Sequence, residues 1–211
     1  MFKRIVHELR HHAPFTIFGA VLGVVFIFLF RNVSAGISYK VFYVLHPLHV
    51  LLSAQVTAGI YMIYKCEGDK GKCNFLHIFL IGYLGSVGVA TMSDSLIPYL
   101  GEFLLDMPNR EAHIGFIEEW WIVNPLAIIG ILFAYFKPMT KFPHAGHVLV
   151  STWASLFHIL MAVGAGLVLS DYIAILLFLF VAVWIPCCVS DIVFPLLFVK
   201  DIKKVPTCCC H

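Results

Sequence analysis

Two short stretches, HPLHVLLSA at His46–Ala54 and HAGHVLVST at His144–Thr152, decide how this chain of 211 residues is expected to fold. Each places two histidines three residues apart in front of a long apolar run. Two further pairs of similar stretches occur: PFTIFG at Pro14–Gly19 with PLAIIG at Pro125–Gly130, and SDSLIP at Ser93–Pro98 with SDIVFP at Ser190–Pro195. In chain order the three pairs are offset by 111, 98 and 97 residues, which indicates an internal duplication.

The composition is typical of a membrane protein. Hydrophobic residues make up 61% of the chain and charged residues only 12%, whereas soluble domains are nearer half apolar and a quarter charged. Apolar stretches of the roughly 20 residues needed to cross a bilayer recur throughout. The first is too long for a removed signal peptide and lacks its cleavage site. We predict an all-α integral membrane protein with six transmembrane helices, at Ala13–Phe30, Val41–Tyr64, Leu76–Leu100, Trp120–Phe136, His144–Leu169 and Tyr172–Val199.

The basic residues predict the orientation. With six spans, both termini and the second and fourth loops share one face, which carries eleven of the fourteen Lys and Arg residues. Only Arg31, Lys40 and Arg110 fall on the opposite face. The positive-inside rule then places both termini in the cytoplasm, and we expect residence in the cell (plasma) membrane.

Each copy of the duplication contains three spans, so the second copy enters the membrane the other way up. The expected architecture is two inverted-topology three-helix repeats, residues 1–105 and residues 106–211, the second ending in a cysteine-rich tail. Many transporters share this plan, in which a pseudo-twofold axis lies in the membrane plane. Pro98 and Pro195 each follow the repeated Ser-Asp and favour broken helices.

The inversion predicts two polar clusters, one toward each face. Histidines three or four residues apart share one face of a helix. Imidazole and carboxylate are usual ligands of divalent transition metals, and an ionisable side chain inside a span is costly unless it binds or pairs. We therefore predict metal ligands at each mouth, for zinc first, with manganese, iron or copper as alternatives. The outer cluster comprises His46, His49, Asp94 and Glu118, and the inner cluster comprises His144, His147, Asp191 and His11, with His7 one turn before His11.

Simpler roles are open for each of these residues. Interfacial histidines are often solvated, and a buried aspartate can hydrogen-bond a neighbouring helix. Ser53 and Ser151 match in the two copies, but such serines more often join helices than line a pore. His77 and His158 have no repeat partner, which favours single structural roles. Only the coincidence of a histidine pair, an aspartate and a further ligand in both copies favours metal binding.

The seven cysteines are predicted to lie at or near the reducing, cytoplasmic side, which argues against disulfides. Cys187 and Cys188 replace Ala90 and Thr91 of the first copy, so the inner site is expected to be the softer one. The tail Cys208–His211 carries thiolate and imidazole groups that suit zinc or copper(I). Palmitoylation, or no role, is the alternative for these cysteines.

The stretch ATMSDSLIP at Ala90–Pro98 resembles a motif of heavy-metal and manganese exporter membrane proteins of bacteria and archaea. The resemblance consists of a small residue, then Ser93 and Asp94, and a proline four positions after the aspartate. It implies export of a divalent or soft metal ion. Those exporters are larger, and their other motifs are not evident in this chain.

The leading functional hypothesis is transport of a divalent transition-metal ion, with the two repeats rocking to open each mouth in turn. The alternatives are an intramembrane metal-dependent hydrolase of a lipid-like substrate, with Glu118 or Glu119 as general base, and a structural metal-binding subunit. Enzymatic activity is thus open but not favoured. The expected partners are the lipid bilayer and a metal ion; a homo-oligomer is compatible, and no feature points to nucleic acid.

Overall fold

The structure, a computed structural model, describes residues 2–29, 33–139, 141–163, 169–189 and 193–199. Of residues 2–12, 15, 27, 141–145 and 188 it describes the backbone alone. The chain is all-helical over these ranges, with no β-strand among them. The helices are α1 (Phe2–Leu29), α2 (Ala35–Lys65), α3 (Phe75–Thr91), α4 (Ile97–Leu104), α5 (Gly115–Glu118), α6 (Trp120–Phe136), α7 (Lys141–Ala162), α8 (Leu169–Cys188) and α9 (Phe194–Leu197).

Within the part of the chain that the structure describes, three helical segments are long and apolar enough to span a membrane. They are α2, the continuous unit from Phe75 to Leu104, and the part of α8 from Leu169 to Cys187. Large apolar side chains such as Phe18, Leu84 and Phe133 point outward, and such apolar surface is typical of membrane contact. These features are consistent with residence in a membrane. Shorter apolar helical stretches lie at Thr16–Phe26, Trp120–Phe136 and Gly146–Ala162.

The helix that carries Asp94 is continuous rather than broken. α3 runs into α4 through one π-helical turn, Met92–Leu96. Pro98 has no amide hydrogen to donate to the Asp94 carbonyl, so a regular α-helix would lose that bond here. In the wider turn the Ile97 amide donates to the Met92 carbonyl instead. The break expected at Pro98 is therefore a local widening of one helix, and it holds Asp94 at the helix crossing.

α2 lies at the centre of the fold, where α3, α6 and α7 pack against it. Two glycines allow its neighbours to approach closely. A Cβ on Gly130 of α6 would lie 2.3 Å from the Leu51 carbonyl oxygen, and one on Gly82 of α3 would lie 3.0 Å from the Ala58 Cβ. Small residues at crossings are typical of helix packing in membranes. This packing encloses the polar face of α2 between α7 and the π turn.

The connection from α2 to α3 contains a disulfide bond between Cys66 and Cys73. Cys66 caps α2, with its amide donating to the Met62 carbonyl. Inside the closed loop, the Asp69 carboxylate accepts a hydrogen bond from the Gly71 amide. The prediction that the cysteines form no disulfide is therefore wrong for this pair, because it rested on the side of the membrane and not on the short loop that brings the two thiols together.

Candidate metal centre

Asp94 is the hub of a buried polar cluster between α2, the π turn and α7. Its Oδ2 lies 2.9 Å from His46 Nδ1 and 2.7 Å from His49 Nδ1. Its Oδ1 accepts hydrogen bonds from the hydroxyls of Ser93 at 2.7 Å and Ser151 at 2.9 Å. All these side chains are buried. An ionised carboxylate away from water is costly unless hydrogen-bonded, and four bonds, each contributing roughly 1.5–3 kcal/mol, offset that cost.

The Asp94 contacts decide which histidine nitrogens can bind a ligand. Because Oδ2 can only accept, the neutral rings of His46 and His49 carry their protons on Nδ1 and donate from there. Each ring is left with a lone pair on Nε2, and neither Nε2 has a hydrogen-bond partner within the described ranges. A carboxylate that accepts from one ring nitrogen while the other binds metal is the usual support of a metal-ligating histidine.

His49, His147 and Cys187 form a group that can hold a metal ion. One ligand atom of each lies within 4.8 Å of the others, and all three side chains are buried. The ring centroids of His49 and His147 are 5.5 Å apart. The Cys187 thiol donates to the Ser151 hydroxyl at 3.7 Å, which ties α8 to the Asp94 cluster. Two imidazoles and one thiolate leave a fourth position open in a tetrahedral zinc site.

His46 is positioned differently from His49. Its ring stacks on Phe42, with centroids 5.3 Å apart. Gly115 lies against the Cδ2 and Nε2 atoms of the ring, where a Cβ would sit 2.4 Å from His46 Cδ2 and 2.6 Å from Nε2. No side chain larger than hydrogen fits there without moving the ring. Gly115 therefore keeps His46 in place against Asp94.

A second buried pair lies further along α7. His158 Nδ1 is 2.7 Å from Glu102 Oε1, and both side chains are enclosed. The amide of His113 donates to His158 Nε2 at 3.4 Å. His113 Nδ1 is in turn 3.2 Å from Glu118 Oε2, and Glu118 is partly open to solvent. These residues connect the buried pair to the surface.

Glu118 belongs to this second region rather than to the Asp94 cluster. It accepts hydrogen bonds from the Tyr43 hydroxyl and, at 2.8 Å, from the Ile114 amide. Burial raises the pKa of Glu118, but the hydrogen bonds from Tyr43, Ile114 and His113 outweigh it and hold the pKa below its usual 4.5. The carboxylate is therefore ionised near neutral pH.

The structure brings together residues that the sequence assigned to opposite faces. His46, His49 and Asp94 meet as expected, and His147 joins them instead of forming a separate inner cluster. Asp191 and the tail Cys208–His211 lie outside the described residues. His7, His11 and His144 lie on α1 and α7, at positions whose side chains are outside the described part of the structure.

Two features of the site were not predicted as such. Cys187 was expected only to soften an inner site, although its alignment with Ala90, two residues before the π turn, places it near the same crossing. Glu102 was missed because it follows Leu100, where the third span was predicted to end, whereas α4 continues to Leu104. An acidic residue two positions beyond an apolar run was the signal for it.

No family model, no curated protein and no solved structure matches this chain.

Proposed function

We propose that the chain is a multi-pass membrane transporter of a divalent transition-metal ion, which binds at His49, His147 and Cys187. The observation that carries the proposal is the meeting of His49 and His147, which occupy equivalent positions in the two copies and lie 5.5 Å apart. In transporters built from inverted repeats, the ion site lies at the repeat interface near the middle of the membrane. His49 lies near the middle of α2, which fits that location.

Matching helix contacts support the proposal of two inverted three-helix repeats in a six-span protein. In the proposed repeats α1, α2 and α3 correspond to α6, α7 and α8. The contact of α2 with α6 then corresponds to that of α7 with α1, and the contact of α3 with α6 to that of α8 with α1. A Cβ on Gly130 would meet Ala54 at 3.0 Å, and one on Gly19 would meet Thr152 at 3.2 Å. These two contacts are equivalent under the offsets of 111 and 98 residues. Residues 189 and 193 are π-helical, as are Met92 and Leu96 at the matching positions.

A row of polar side chains along α7 supports passage of an ion rather than storage. His147, Ser151, Ser155 and His158 recur at helical spacing and are all buried. The Ser155 hydroxyl donates to the Ser93 carbonyl at 2.9 Å, so the row runs beside the π turn. It extends from the candidate metal centre to the surface region around Glu118. A buried polar row of this kind is costly in a membrane unless it has a function.

The ligand types favour zinc as the ion. Zinc is commonly bound by imidazole nitrogen and thiolate sulfur, and copper(I) and iron accept the same groups. Manganese prefers carboxylate, carbonyl and water oxygen, which this group does not offer. In the proposed cycle, rocking of one repeat against the other changes the spacing of His49 and His147. The ion is then released when one of them withdraws.

We also propose that the protein resides in the plasma membrane with both termini cytoplasmic, on the basis of the eleven basic residues on that face. In a six-span topology the loop with the Cys66–Cys73 disulfide lies on that same face. Because disulfides persist mainly in oxidising compartments, this bond favours the opposite orientation, which makes the orientation worth testing. Labelling reduced Cys66 and Cys73 in intact cells with an impermeant maleimide tests the orientation. Labelling only after permeabilisation supports cytoplasmic termini, and labelling of intact cells reverses the topology.

A hydrolase is the second candidate, favoured by the open fourth position that two histidines and one cysteine leave on zinc. There a zinc-bound hydroxide would attack a lipid ester or amide. The expected general base, Glu118, is instead bonded to Tyr43 and His113. The only carboxylate that contacts the described cluster is Asp94, whose two oxygens already accept four hydrogen bonds.

Zinc flux into proteoliposomes tests the proposal. The purified chain is reconstituted with a zinc-sensitive dye inside the vesicles, and the wild type is compared with Cys187→Ser and His49→Gln. A matched control is His77→Gln, which changes an exposed histidine at the start of α3. We expect saturable flux in the wild type and the control, and a severe loss in the other two variants. Zinc binding without flux in the wild type would contradict transport.

A further inference from the structure

We propose that Glu102 and His158 form a buried proton-binding site, connected to the aqueous face by His113 and Glu118, which couples proton movement to metal transport. The coupling rests on the proposed function. The proton-binding site itself does not, because its residues are separate from His49, His147 and Cys187.

The carboxylate of Glu102 has one oxygen in use and one available. The side chain is 1% exposed, and its Oε1 lies 2.7 Å from His158 Nδ1. Its Oε2 is buried and has no hydrogen-bond partner among the residues that the structure describes. A buried carboxylate oxygen without a donor is costly, and inside a membrane an ionisable side chain of this kind marks a proton or ion path.

The hydrogen bonds of His158 direct an incoming proton to Glu102. His158 Nε2 accepts from the His113 amide at 3.4 Å, so the neutral ring carries its proton on Nδ1 and donates it to Glu102. Protonating Nε2 would break the bond to His113. Protonating Glu102 Oε2 breaks no hydrogen bond and removes a buried negative charge. The proton is therefore held on Oε2, and no covalent bond other than the new O–H is formed.

The route to the surface runs through one intermediate residue. His113 Nδ1 lies 3.2 Å from Glu118 Oε2, and the Glu118 side chain is 35% exposed. The ring centroids of His113 and His158 are 5.5 Å apart and the rings meet edge to face, so the two side chains are in direct contact. A proton from water thus passes from Glu118 to His113 and on to the Glu102–His158 pair.

The remaining surroundings of the pair are mostly neutral. Phe178 of α8 covers Gly101, where a Cβ would lie 2.9 Å from its ring. Phe42 of α2 touches His158, with ring centroids 5.3 Å apart, and also stacks on His46. Phe42 thereby contacts both the Glu102–His158 pair and the Asp94 cluster. Titratable groups on the neighbouring elements include Tyr39, Tyr43 and His46 on α2, Glu111, His113 and the ion-paired Asp106 and Arg110 in the α4–α5 loop, Glu118 on α5, and Tyr172 on α8.

The duplication shows that this site belongs to one mouth alone. Under the offsets of 97 and 98 residues, Glu102 matches Val199 and His158 matches Ile60. Both counterparts are apolar and hold no proton. A proton site on one side of a metal centre shared by both repeats provides the asymmetry that directional coupling requires.

Infrared difference spectroscopy tests proton binding on the full-length chain in lipid, without metal. We expect the carbonyl band of a neutral carboxylic acid to grow as the pH is lowered, with a shift in deuterium oxide. This band should be absent in Glu102→Gln and present in Glu111→Gln, which alters an exposed glutamate of the adjoining loop. No buried-acid band in the wild type, or an unchanged band in Glu102→Gln, would overturn the proposal.

Flux measurements then test the coupling. We expect a pH gradient to accelerate zinc flux in the wild type and in Glu111→Gln. In Glu102→Gln, which resembles the permanently protonated state, zinc binding should persist while the response to the gradient is lost. A gradient response retained in Glu102→Gln would overturn the coupling. If the wild type binds no zinc but shows the Glu102 band, the transport proposal fails and the proton site stands.

Discussion

The two buried histidine–carboxylate groups of this molecule differ in how fully the carboxylate is satisfied. Asp94 accepts two hydrogen bonds on each oxygen, from His46 and His49 on one and from Ser93 and Ser151 on the other. Glu102 accepts one, from His158, and its second oxygen is unpartnered within the described residues. A carboxylate whose oxygens all accept hydrogen bonds fixes the orientation of its neighbours, whereas one with an unpartnered oxygen can still bind a proton. We therefore assign positioning to Asp94 and proton uptake to Glu102.

The two groups also differ in whether their residues have polar counterparts in the predicted duplication. The cluster around Asp94 uses residues that recur in both copies, such as His49 with His147 and Ser53 with Ser151. Glu102 and His158 have only apolar counterparts. A shared centre suits an ion that must be reached from both sides, and an unshared site suits a role on one side only.

The largest expected effect comes from removing the shared ligands. His49→Ala/His147→Ala should lose about one bound metal ion per chain, because a single thiolate cannot hold zinc against solvent. Elemental mass spectrometry of the purified protein measures it, with His77→Ala as the control. Full retention of metal in the double variant would show that the ion binds elsewhere and that His49 and His147 are not its ligands.

The positioning role of Asp94 predicts a smaller loss. Asp94→Asn keeps the size of the side chain, but one of its two oxygens becomes a nitrogen that donates, so the tautomers of His46 and His49 are no longer both fixed. Loss of such a supporting group typically lowers metal affinity by about 10–100-fold. Competition with a zinc chelator measures the affinity. A loss as complete as that of the double histidine variant would indicate that Asp94 itself ligates the ion.

Packing around His46 predicts a moderate effect on stability. In Gly115→Ala the new Cβ would overlap the His46 ring, which cannot move away without leaving Asp94. Overpacking of this kind destabilises by about 1–3 kcal/mol. Thermal unfolding in detergent measures it against Gly36→Ala, where the new Cβ would meet nothing within 4 Å. Equal melting temperatures for the two variants would show that the His46 ring is not tightly held.

The smallest expected effect concerns Glu118 and pH. Its pKa is lowered in the fold, so its ionised form stabilises the protein above the usual pKa of 4.5, and this contribution is lost as the pH falls through the lower folded-state value. Wild type should therefore melt above Glu118→Gln at neutral pH, and the gap should close as the solution is acidified. Glu111→Gln should show no such trend. A gap that widens in acid would mean that the pKa is raised instead.

The sequence predicted the membrane class and most helix positions, because apolar length and composition follow directly from the bilayer. Trp120–Phe136 coincides with α6, and the placement of His46 and His49 on one face of α2 follows from helical spacing. The meeting of His49 with His147 could not be predicted, since helical spacing orders residues along one helix and does not say how two helices cross. Gly130 allows α6 to approach α2 closely, and the π turn before Pro98 carries the Asp94 that meets His46 and His49.

The distribution of charge also misled the prediction of the loop between α2 and α3. Lys65 precedes Cys66, and Lys70 and Lys72 lie between Cys66 and Cys73, the two cysteines that the structure joins in a disulfide. A count of basic residues carries no information on whether two thiols can approach. The pairing depends on the short turn between Cys66 and Cys73, which is local backbone geometry.

X-ray absorption at the zinc edge tests most directly whether the metal lies between the two repeats. The account predicts one sulfur ligand at about 2.3 Å and two imidazole nitrogens at about 2.0–2.1 Å, with a light atom in the remaining position. The sulfur contribution should disappear in Cys187→Ser and persist in Cys66→Ser/Cys73→Ser. A zinc environment made only of oxygen and nitrogen, or a sulfur signal that survives Cys187→Ser, would contradict a centre formed by His49, His147 and Cys187.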